Sequence, residues 1–355
     1  MKNSDIARLR LASQRLTGSK FNTAVEAVRF MGAVQAQDYT GALWAVGLRT
    51  ANATEATVER AIVERQIVRT WPMRRTLHFV APEDVRWMLE LLTPRIIRSY
   101  EQRSHLLGLD VGVFGRSRKV LTRALEGGKQ LQRTAVYERL EAAGISTAEG
   151  RGLHIVARLA LDGLICYAAR QGKQPTFALL DEWVMASPRL ERDAALAELA
   201  RRYFTSHGPA SVQDFVWWSG LTTVDARAGI EMAKPHLVQE VIEGQRYWLS
   251  PSTPDAKAAG VYLLPPYDEY TVAYKDRSAV LDPSYAKQVN TGNGVFSPTV
   301  VFDGQVVGLW KRTLKKDTVV ITPSPFEKFS AAATRAIAAA TRRYGEFLET
   351  SAVLS

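Results

Sequence analysis

The sequence predicts an α+β fold made of tandem winged-helix units, each a helix-turn-helix segment followed by a β-wing, with a small C-terminal β-sheet and helix. Two patterns predict this fold: helices followed by a two-stranded hairpin recur three times before residue 255, and strand-forming segments dominate afterwards. The length of 355 residues also exceeds one compact unit and suggests two to four domains. We place the units at 1–115, 116–190 and 191–254, with a β-rich domain at 255–355.

The first unit is predicted from short helical segments and one hairpin. Thr23 and Glu26 have the spacing of a capping box at the start of the second helix. Residues 68–80 read as strand, bend and strand, with Pro72 marking a turn or an edge because proline cannot donate to a ladder. The helices are predicted at 5–16, 23–34, 41–48 and 55–66, and a further one opens at 81–84.

The second and third units repeat this order. The second wing carries a basic, glycine-containing tip at 170–174, and the third closes on Glu243-Gly244, a short hairpin turn. Helices are predicted at 117–126, 134–143 and 149–164 before strands at 164–167 and 176–180, and at 191–205, 211–219 and 222–233 before strands at 238–242 and 245–249.

The last hundred residues change in character. Asp303-Gly304 is a strong hairpin signal between two apolar runs. A final alanine-rich segment, roughly 326–349, is predicted to be a helix that packs on a small sheet. The strands of that sheet are predicted at 261–266, 299–302, 305–310 and 318–321.

The chain is basic, and the excess charge lies in its first third. Lys and Arg number 46 against 36 Asp and Glu, giving a net charge of +10, and residues 1–120 carry 19 against 11. This balance suits a polyanionic partner such as nucleic acid, although an arginine-rich enzyme with no such partner fits equally well. A cluster after residue 115 favours phosphate contacts. Its members are Arg116, Arg118, Lys119 and Arg123, and Lys129 and Arg133 follow.

Several common classes of site are excluded. Cys166, the only cysteine, lies in an apolar run and is predicted to be a buried, inert thiol. The five histidines show no metal-site spacing, and no phosphate-cradling or dinucleotide loop follows a strand. We therefore expect no metal and no cofactor. Without a secretion signal or a run of membrane-spanning length, we expect a cytoplasmic protein with no membrane partner.

One polar constellation lies where the second predicted helix gives way to the third. In extended backbone, residues two apart point the same way, so Gln35 and Gln37 could present two amides to one spot with Ala36 turned inward. Asp38 is placed to cap the next helix. An ordinary polar loop is the alternative, and the pattern by itself favours that loop.

The sequence resembles the winged-helix DNA-binding family of AlkZ/YcaQ-type DNA glycosylases. The matching segments are individually modest, but together and in this order they are specific to the family. They are Gln-Ala-Gln-Asp at 35–38, Arg-Thr-Trp-Pro-Met-Arg at 69–74, Thr-Leu-His-Phe-Val at 76–80, Leu-Asp-Gly-Leu-Ile at 161–165, Arg-Arg-Tyr-Phe-Thr-Ser-His-Gly-Pro-Ala at 201–210, Asp-Phe-Val-Trp-Trp-Ser-Gly-Leu at 214–221 and Leu-Pro-Pro-Tyr-Asp-Glu-Tyr at 264–270.

The resemblance implies a monofunctional DNA glycosylase that acts as a monomer on double-stranded DNA. Such enzymes release N7- or N3-alkylated purines, and some unhook interstrand crosslinks. Their catalytic signature is Gln, an apolar residue, then Gln or Asp, which Gln35, Ala36 and Gln37 match. The sequence departs from the family at Arg75, where glycine or proline is usual before Thr76.

The resemblance leads to a hypothesis for the chemistry and for DNA binding. An alkylated purine is already a cationic leaving group, so we expect Gln37 to hold a water near the sugar carbon C1′ and Gln35 to position that water or the sugar. One predicted hairpin offers four groups that could reach DNA, and the second wing offers two more. They are Arg69, Arg74, Arg75 and His78, and then Arg170 and Lys173. For each arginine an ordinary surface position is the alternative, and for His78 a satisfied, half-buried imidazole is.

Two other functions stay open on sequence grounds. A winged-helix protein without enzymatic activity, such as a transcriptional regulator, is favoured by fold alone. A scaffold that binds proteins is the second. A specific DNA footprint without base release would favour the first, and the absence of salt-dependent DNA binding would favour the second.

Overall fold

The computed structural model describes residues 3–184, 188–254, 260–292 and 294–355, and it mixes helices with strands throughout. The chain divides into two compact units. Unit 1 comprises Met1–Glu59 and Leu196–Ser355, and unit 2 comprises Arg60–Ala195. The finer division into four segments stays a prediction.

The N-terminal part of unit 1 contains short capped helices close to those predicted. The capping box is confirmed, because the backbone N–H of Glu26 donates to Thr23 Oγ1 at 3.2 Å and the Glu26 carboxylate accepts from the Thr23 backbone. The elements are α1 (Asn3–Ser13), α2 (Ala24–Met31), β1 (Val34–Gln35), α3 (Tyr39–Gly47) and α4 (Glu55–Val63), the last of which continues into unit 2.

Unit 2 begins with the predicted hairpin. Pro72 lies inside the first strand, where the pairing register shifts between Thr70 and Met73. The elements are β2 (Val68–Met73), β3 (Thr76–Val80), a 3₁₀ turn (Pro82–Asp84), α5 (Val85–Ser99), α6 (Glu101–Leu106), α7 (Val111–Leu125), β4 (Leu131–Gln132), α8 (Arg133–Ala142), α9 (Arg151–Leu161), β5 (Ile165–Tyr167), β6 (Thr176–Leu179) and α10 (Leu180–Trp183).

The two hairpins of unit 2 belong to one sheet. Its strands run in the order β3-β2-β5-β6-β4, and β2 meets β5 where Arg69 pairs with Tyr167. Apolar side chains of α7, α8 and α9 form the core beneath, including the fully buried Leu121, Leu140 and Leu159. Cys166 is also fully buried in β5, as predicted, and burial raises the pKa of its thiol.

Unit 1 resumes with three helices and a two-stranded hairpin. Glu243 and Gly244 both have positive φ, at 49° and 81°, as a two-residue type I′ turn requires. The elements are α11 (Arg192–His207), which begins in unit 2, α12 (Val212–Ser219), α13 (Thr223–Ala233), a 3₁₀ turn (Lys234–His236), β7 (Val238–Ile242) and β8 (Gln245–Leu249).

A five-stranded sheet ends the chain. Its order is β13-β12-β11-β10-β9, with β13, which the sequence did not predict, parallel to β12. The final helix, α16, packs against β9 and β13. The elements are β9 (Val261–Leu264), α14 (Glu269–Val272), a 3₁₀ turn (Pro283–Tyr285), α15 (Ala286–Val289), β10 (Thr299–Phe302), β11 (Gln305–Leu314), β12 (Thr318–Pro325), α16 (Ala331–Phe347) and β13 (Ser351–Leu354).

Candidate active site

The Gln-Ala-Gln-Asp segment connects α2 to α3 in unit 1. Gln35 ends β1 with 7% of its surface exposed, Ala36 is fully buried, and Gln37 is exposed at a bend. The extended backbone predicted for Gln35 to Gln37 ends before Gln37, because the chain turns there to enter α3 at Tyr39. The two amides thus differ in exposure, and Gln37 is the one that solvent reaches.

Both sides of Gln37 are anchored. On one side, the backbone N–H of Gln35 donates to Glu269 Oε1 at 2.8 Å. On the other side, Asp38 caps α3 as predicted, and its Oδ1 accepts from the backbone N–H of Gly41 at 2.6 Å. The exposed amide therefore projects from a short segment that is held at two points.

Glu269 is the functional candidate that sequence reasoning missed. Its carboxylate is fully buried, accepts from Trp218 Nε1 at 3.0 Å, and lies 3.5 Å from His207 Nε2. Burial lowers the pKa of His207, although the neighbouring carboxylate opposes this. The resemblance singles out residues 264–270, but nothing local indicates that a carboxylate there reaches a backbone group 234 positions earlier.

A cavity of about 260 Å³ opens beside Asp38 within unit 1. Two buried indoles, Trp44 and Trp310, form part of its wall, and Arg312 donates to Thr40 Oγ1 at 2.7 Å on the same side. Gly41 is required there, because a Cβ would lie 2.9 Å from Asp38 Oδ1. The cavity thus adjoins the glutamine segment and combines aromatic walls with groups of both charges.

The first predicted DNA-contact group sits on the β2–β3 hairpin of unit 2, and two of its members are buried. Arg69 is 8% exposed, and its guanidinium lies over the Tyr167 ring at 4.8 Å. His78 is fully buried, with Nδ1 2.9 Å from the carbonyl oxygen of Thr76 and Nε2 3.2 Å from Arg74 Nη2. The imidazole is therefore satisfied inside the protein and more buried than the half-buried alternative supposed.

The other two members form the turn of this hairpin. Arg74 and Arg75 have φ of 52° and 61°, a left-handed conformation that costs a non-glycine residue roughly 1 kcal/mol. Glycine at the second position would avoid this cost, whereas proline, with φ fixed at about −65°, could not adopt this conformation. Arg75 is exposed, stacks on Tyr100 at 4.5 Å and donates to the carbonyl of Ser99 at 3.1 Å. The turn therefore carries two arginines, and both guanidinium groups make contacts within the protein.

The remaining predicted DNA contacts lie on separate elements of unit 2. Arg116, Arg118 and Lys119 are exposed on α7, where Arg118 pairs with Asp162 at 3.3 Å. Arg133 is exposed at the start of α8. Arg170 and Lys173 lie between β5 and β6, with Lys173 exposed and Arg170 half-buried. The structure brings the hairpin residues together, whereas these six occupy three different places.

Metal-binding and membrane-spanning features are both absent from the described ranges. Among those residues, no group of three or more His, Cys, Asp or Glu side chains could hold a metal ion. No helix within the same ranges is both long and apolar enough to cross a membrane.

Comparison with known proteins decides the family. A family model described as DNA glycosylase AlkZ-like matches residues 28–347. The chain belongs to the AlkZ-like DNA glycosylase family. The prediction of a DNA glycosylase enzyme is confirmed at this level, whereas the roles of individual residues stay predictions.

Two comparisons, one with a curated sequence and one with a solved structure, both match AlkZ from Streptomyces sahachiroi. A curated protein described as an interstrand DNA cross-link repair glycosylase is 27% identical over 332 residues, which cover 85% of each chain. A solved structure of the DNA glycosylase AlkZ matches over the whole length of both chains, with a TM-score of 0.81 and 22% identity. That structure shows a shared fold.

Proposed function

We propose that this AlkZ-like glycosylase removes N7- or N3-alkylated purines from double-stranded DNA, using a water held by Gln37 with help from Gln35. The observation that carries the proposal is the exposed Gln37 amide on a segment anchored by Glu269 and by the Asp38 cap. Such anchoring suits a group that must hold a water in one geometry.

The chemistry asks little of the protein beyond orientation. Alkylation at N7 or N3 makes the purine cationic, so the bond from C1′ to the base nitrogen breaks with its electron pair leaving on the base. The oxygen of water then adds to the oxocarbenium-like C1′, and its proton passes to solvent. A neutral glutamine amide can donate to the water oxygen and accept from a water hydrogen. Because glutamine is a poor general base, undamaged bases should not be substrates.

Crosslink unhooking follows from the same chemistry. A bis-alkylated strand pair carries two cationic purines, and release of either one opens the link. The relative named as an interstrand cross-link repair glycosylase supports this extension to the present chain.

DNA binding is proposed to rest on winged-helix units. The recurring order supports them: α2–α4 precede the β2–β3 hairpin, α7–α9 precede β5 and β6, and α11–α13 precede β7 and β8. The net charge of +10 favours a polyanion. We propose the buried Arg69 and His78 as residues that shape the β2–β3 hairpin, and the exposed members of the predicted set as phosphate contacts. These exposed members are Arg75, Arg116, Arg118, Lys119, Arg133 and Lys173.

Base release from DNA that contains N7-methylguanine tests the proposal. Gln37→Ala should lower the single-turnover rate by roughly 100-fold and Gln35→Ala by less, with DNA affinity unchanged. Gln288→Ala, at an exposed glutamine of α15, is the matched control and should release base at the wild-type rate. Equal rates in all four proteins would remove the proposed glutamine roles, and no release by the wild type would overturn the proposed substrate.

A further inference from the structure

We propose that Glu269 is a positioning residue for the glycosylase reaction: its buried carboxylate fixes the backbone of Gln35 and thereby the placement of the Gln37 amide. The inference rests on the proposed function. Glu269 lies 234 positions after Gln35, whose backbone N–H donates to its carboxylate.

The contact is made to the backbone and not to a side chain. Glu269 Oε1 accepts from the Gln35 N–H at 2.8 Å, and both residues are buried. This hydrogen bond satisfies a buried backbone donor. Because it holds the main chain two residues before Gln37, it restrains the segment whatever side chain stands at position 35.

The remaining contacts of the carboxylate fix its own position. Oε2 accepts from Trp218 Nε1 at 3.0 Å and lies 3.5 Å from His207 Nε2, and both of these side chains are fully buried. α12 supplies Trp218, α11 supplies His207, and Asp268 caps the first turn that carries Glu269. Two long helices therefore determine where the carboxylate meets the glutamine segment.

A purely structural account explains this arrangement poorly. Taking a carboxyl group out of water is costly, and a well-packed apolar side chain at such a position is often as stable. Of the two buried arginines in the same region, Arg49 makes a bidentate pair with the neighbouring Asp268 and Arg10 pairs with Asp214. The carboxylate of Glu269 accepts from the backbone N–H of Gln35. This contact is explained if the position of the backbone at Gln35 matters to the reaction.

Glu269→Gln separates positioning from packing. The two side chains have nearly the same shape, so the substitution opens no cavity. However, Gln35 N–H and Trp218 Nε1 both donate to position 269, and a glutamine offers one oxygen acceptor and one NH₂ donor. One of the two hydrogen bonds must therefore fail. Glu269→Asp is a second variant, which keeps the charge but withdraws the carboxylate by one methylene.

Asp214→Asn is the matched control. Asp214 is a carboxylate of the same unit with 1% exposure, and it accepts from the backbone N–H groups of Ser211 and Lys275, each at 2.9 Å. It makes no described contact with the Gln35–Asp38 segment. Its neutralisation therefore reproduces the loss of a buried charge without touching that segment.

The experiment measures three quantities: single-turnover release of N7-methylguanine, DNA affinity and hydrogen exchange of the backbone N–H of Gln35. Glu269→Gln and Glu269→Asp should each slow release by roughly 10- to 100-fold, leave DNA affinity within about twofold and speed exchange at Gln35. Asp214→Asn should change none of the three by a comparable amount. In a Gln37→Ala background, Glu269→Gln should add little further loss, because the group it positions is gone.

The outcomes separate the two proposals. Suppose first that the wild type is active. The positioning role is overturned, and the glycosylase proposal stands, if Glu269→Gln releases base as fast as the wild type or loses no more of the rate than Asp214→Asn. The same holds if the losses from Glu269→Gln and Gln37→Ala are additive. If Glu269→Gln or Glu269→Asp is slow while exchange at Gln35 is unchanged, the role through the backbone is overturned. If the wild type releases no base, both proposals fall.

Discussion

Arg49 and Asp268 form a bidentate ion pair inside unit 1, although they lie 219 positions apart in the chain. Both N–O distances are 2.9 Å, and neither side chain is exposed to solvent. Arg49 also donates to Gln14 Oε1 at 2.7 Å, and Asp268 caps the helix that begins at Glu269. The pair thus ties the N-terminal helices to the turn that carries the positioning carboxylate.

Breaking this pair should destabilise unit 1 strongly. Arg49→Met leaves a buried carboxylate without its guanidinium, and loss of one partner of a buried pair costs about 3–5 kcal/mol. Arg49→Met with Asp268→Leu should cost less than the sum of the two single variants, because no charge is then stranded. Urea unfolding of the three variants measures the coupling.

An exposed ion pair in the same unit serves as the control. Arg8 and Asp303 lie 2.7 Å apart with side chains 46% and 31% exposed, so solvent screens their attraction. Arg8→Ala should leave the unfolding midpoint unchanged. Additive losses for Arg49 and Asp268 would contradict the strength assigned to the buried pair.

Two helical glycines should respond in opposite ways to alanine. At Gly47, a Cβ would lie 2.5 Å from Cε2 of the buried Phe347, so Gly47→Ala should cost about 1–3 kcal/mol through overpacking. At Gly115, inside α7, a Cβ meets nothing within 4 Å, so Gly115→Ala should gain about 0.5–1 kcal/mol of helix propensity. Thermal unfolding of each variant measures the sign.

A rescue variant completes this comparison. Phe347→Leu should recover part of the loss in the Gly47→Ala background, because the shorter side chain vacates the space of the new Cβ. A Gly47→Ala protein as stable as the wild type would show that the Phe347 ring can move aside at little cost.

Local chemistry made much of this fold predictable. A helix start is indicated by Thr23 and Glu26, which are three residues apart. Hairpin turns are indicated by Glu243-Gly244 and by Asp303-Gly304, and the second of these pairs has φ of 48° and 85°. Each of these signals lies within a few residues, where the backbone itself imposes the spacing. The Asp38 cap was predicted for the same reason.

Other features depend on partners that are distant in sequence. The first part of α7 escaped prediction because Gly112 and Gly115 are poor helix formers and Val111 is exposed. The burial of His78 was underestimated because a hairpin pattern does not show whether a second layer covers it. The contact between Glu269 and Gln35 joins residues 234 positions apart, so no local pattern could indicate it.

The exposed cations of α7 should contribute to DNA affinity through phosphate contacts. Arg116→Ala with Lys119→Ala should weaken binding and make the slope of log K against log salt less negative by roughly 0.9 for each phosphate that the variant no longer neutralises. Titration with an undamaged duplex over roughly 50 to 200 mM salt measures that slope. The rate of base release from saturated protein should not change.

A matched pair on another helix tests whether position matters. Arg335 and Arg342 are exposed on α16, and replacing both with alanine removes the same charge from unit 1. Their loss should leave the salt slope unchanged. If both double variants and the wild type have the same salt slope, phosphate contact by α7 is contradicted. If both double variants have a salt slope that is reduced by the same amount, the effect is one of net charge alone.

Acid should destabilise the protein before its carboxylates titrate, because burial lowers the pKa of two histidines in the folded state. Burial lowers the pKa of His207 below its ordinary value of 6.5, and burial also lowers that of His154, with Arg103 and Arg158 contributing. Below about pH 6.5 the unfolded chain therefore binds protons that the folded chain does not, and the free energy of unfolding falls as pH falls. Each such proton contributes a slope of at most about 1.4 kcal/mol per pH unit.

Urea unfolding between about pH 7.5 and 5.5 measures this linkage. His154→Gln should reduce the slope, because the imidazole and its 2.7 Å contact with Ser104 Oγ are removed together. His207→Gln should reduce it as well, at a greater cost in stability at neutral pH because the side chain is fully buried. The prediction is contradicted if the free energy of unfolding is flat across this range or rises toward pH 5.5. The folded state would then protonate His207 as readily as the unfolded chain does, because Glu269 outweighs the effect of burial.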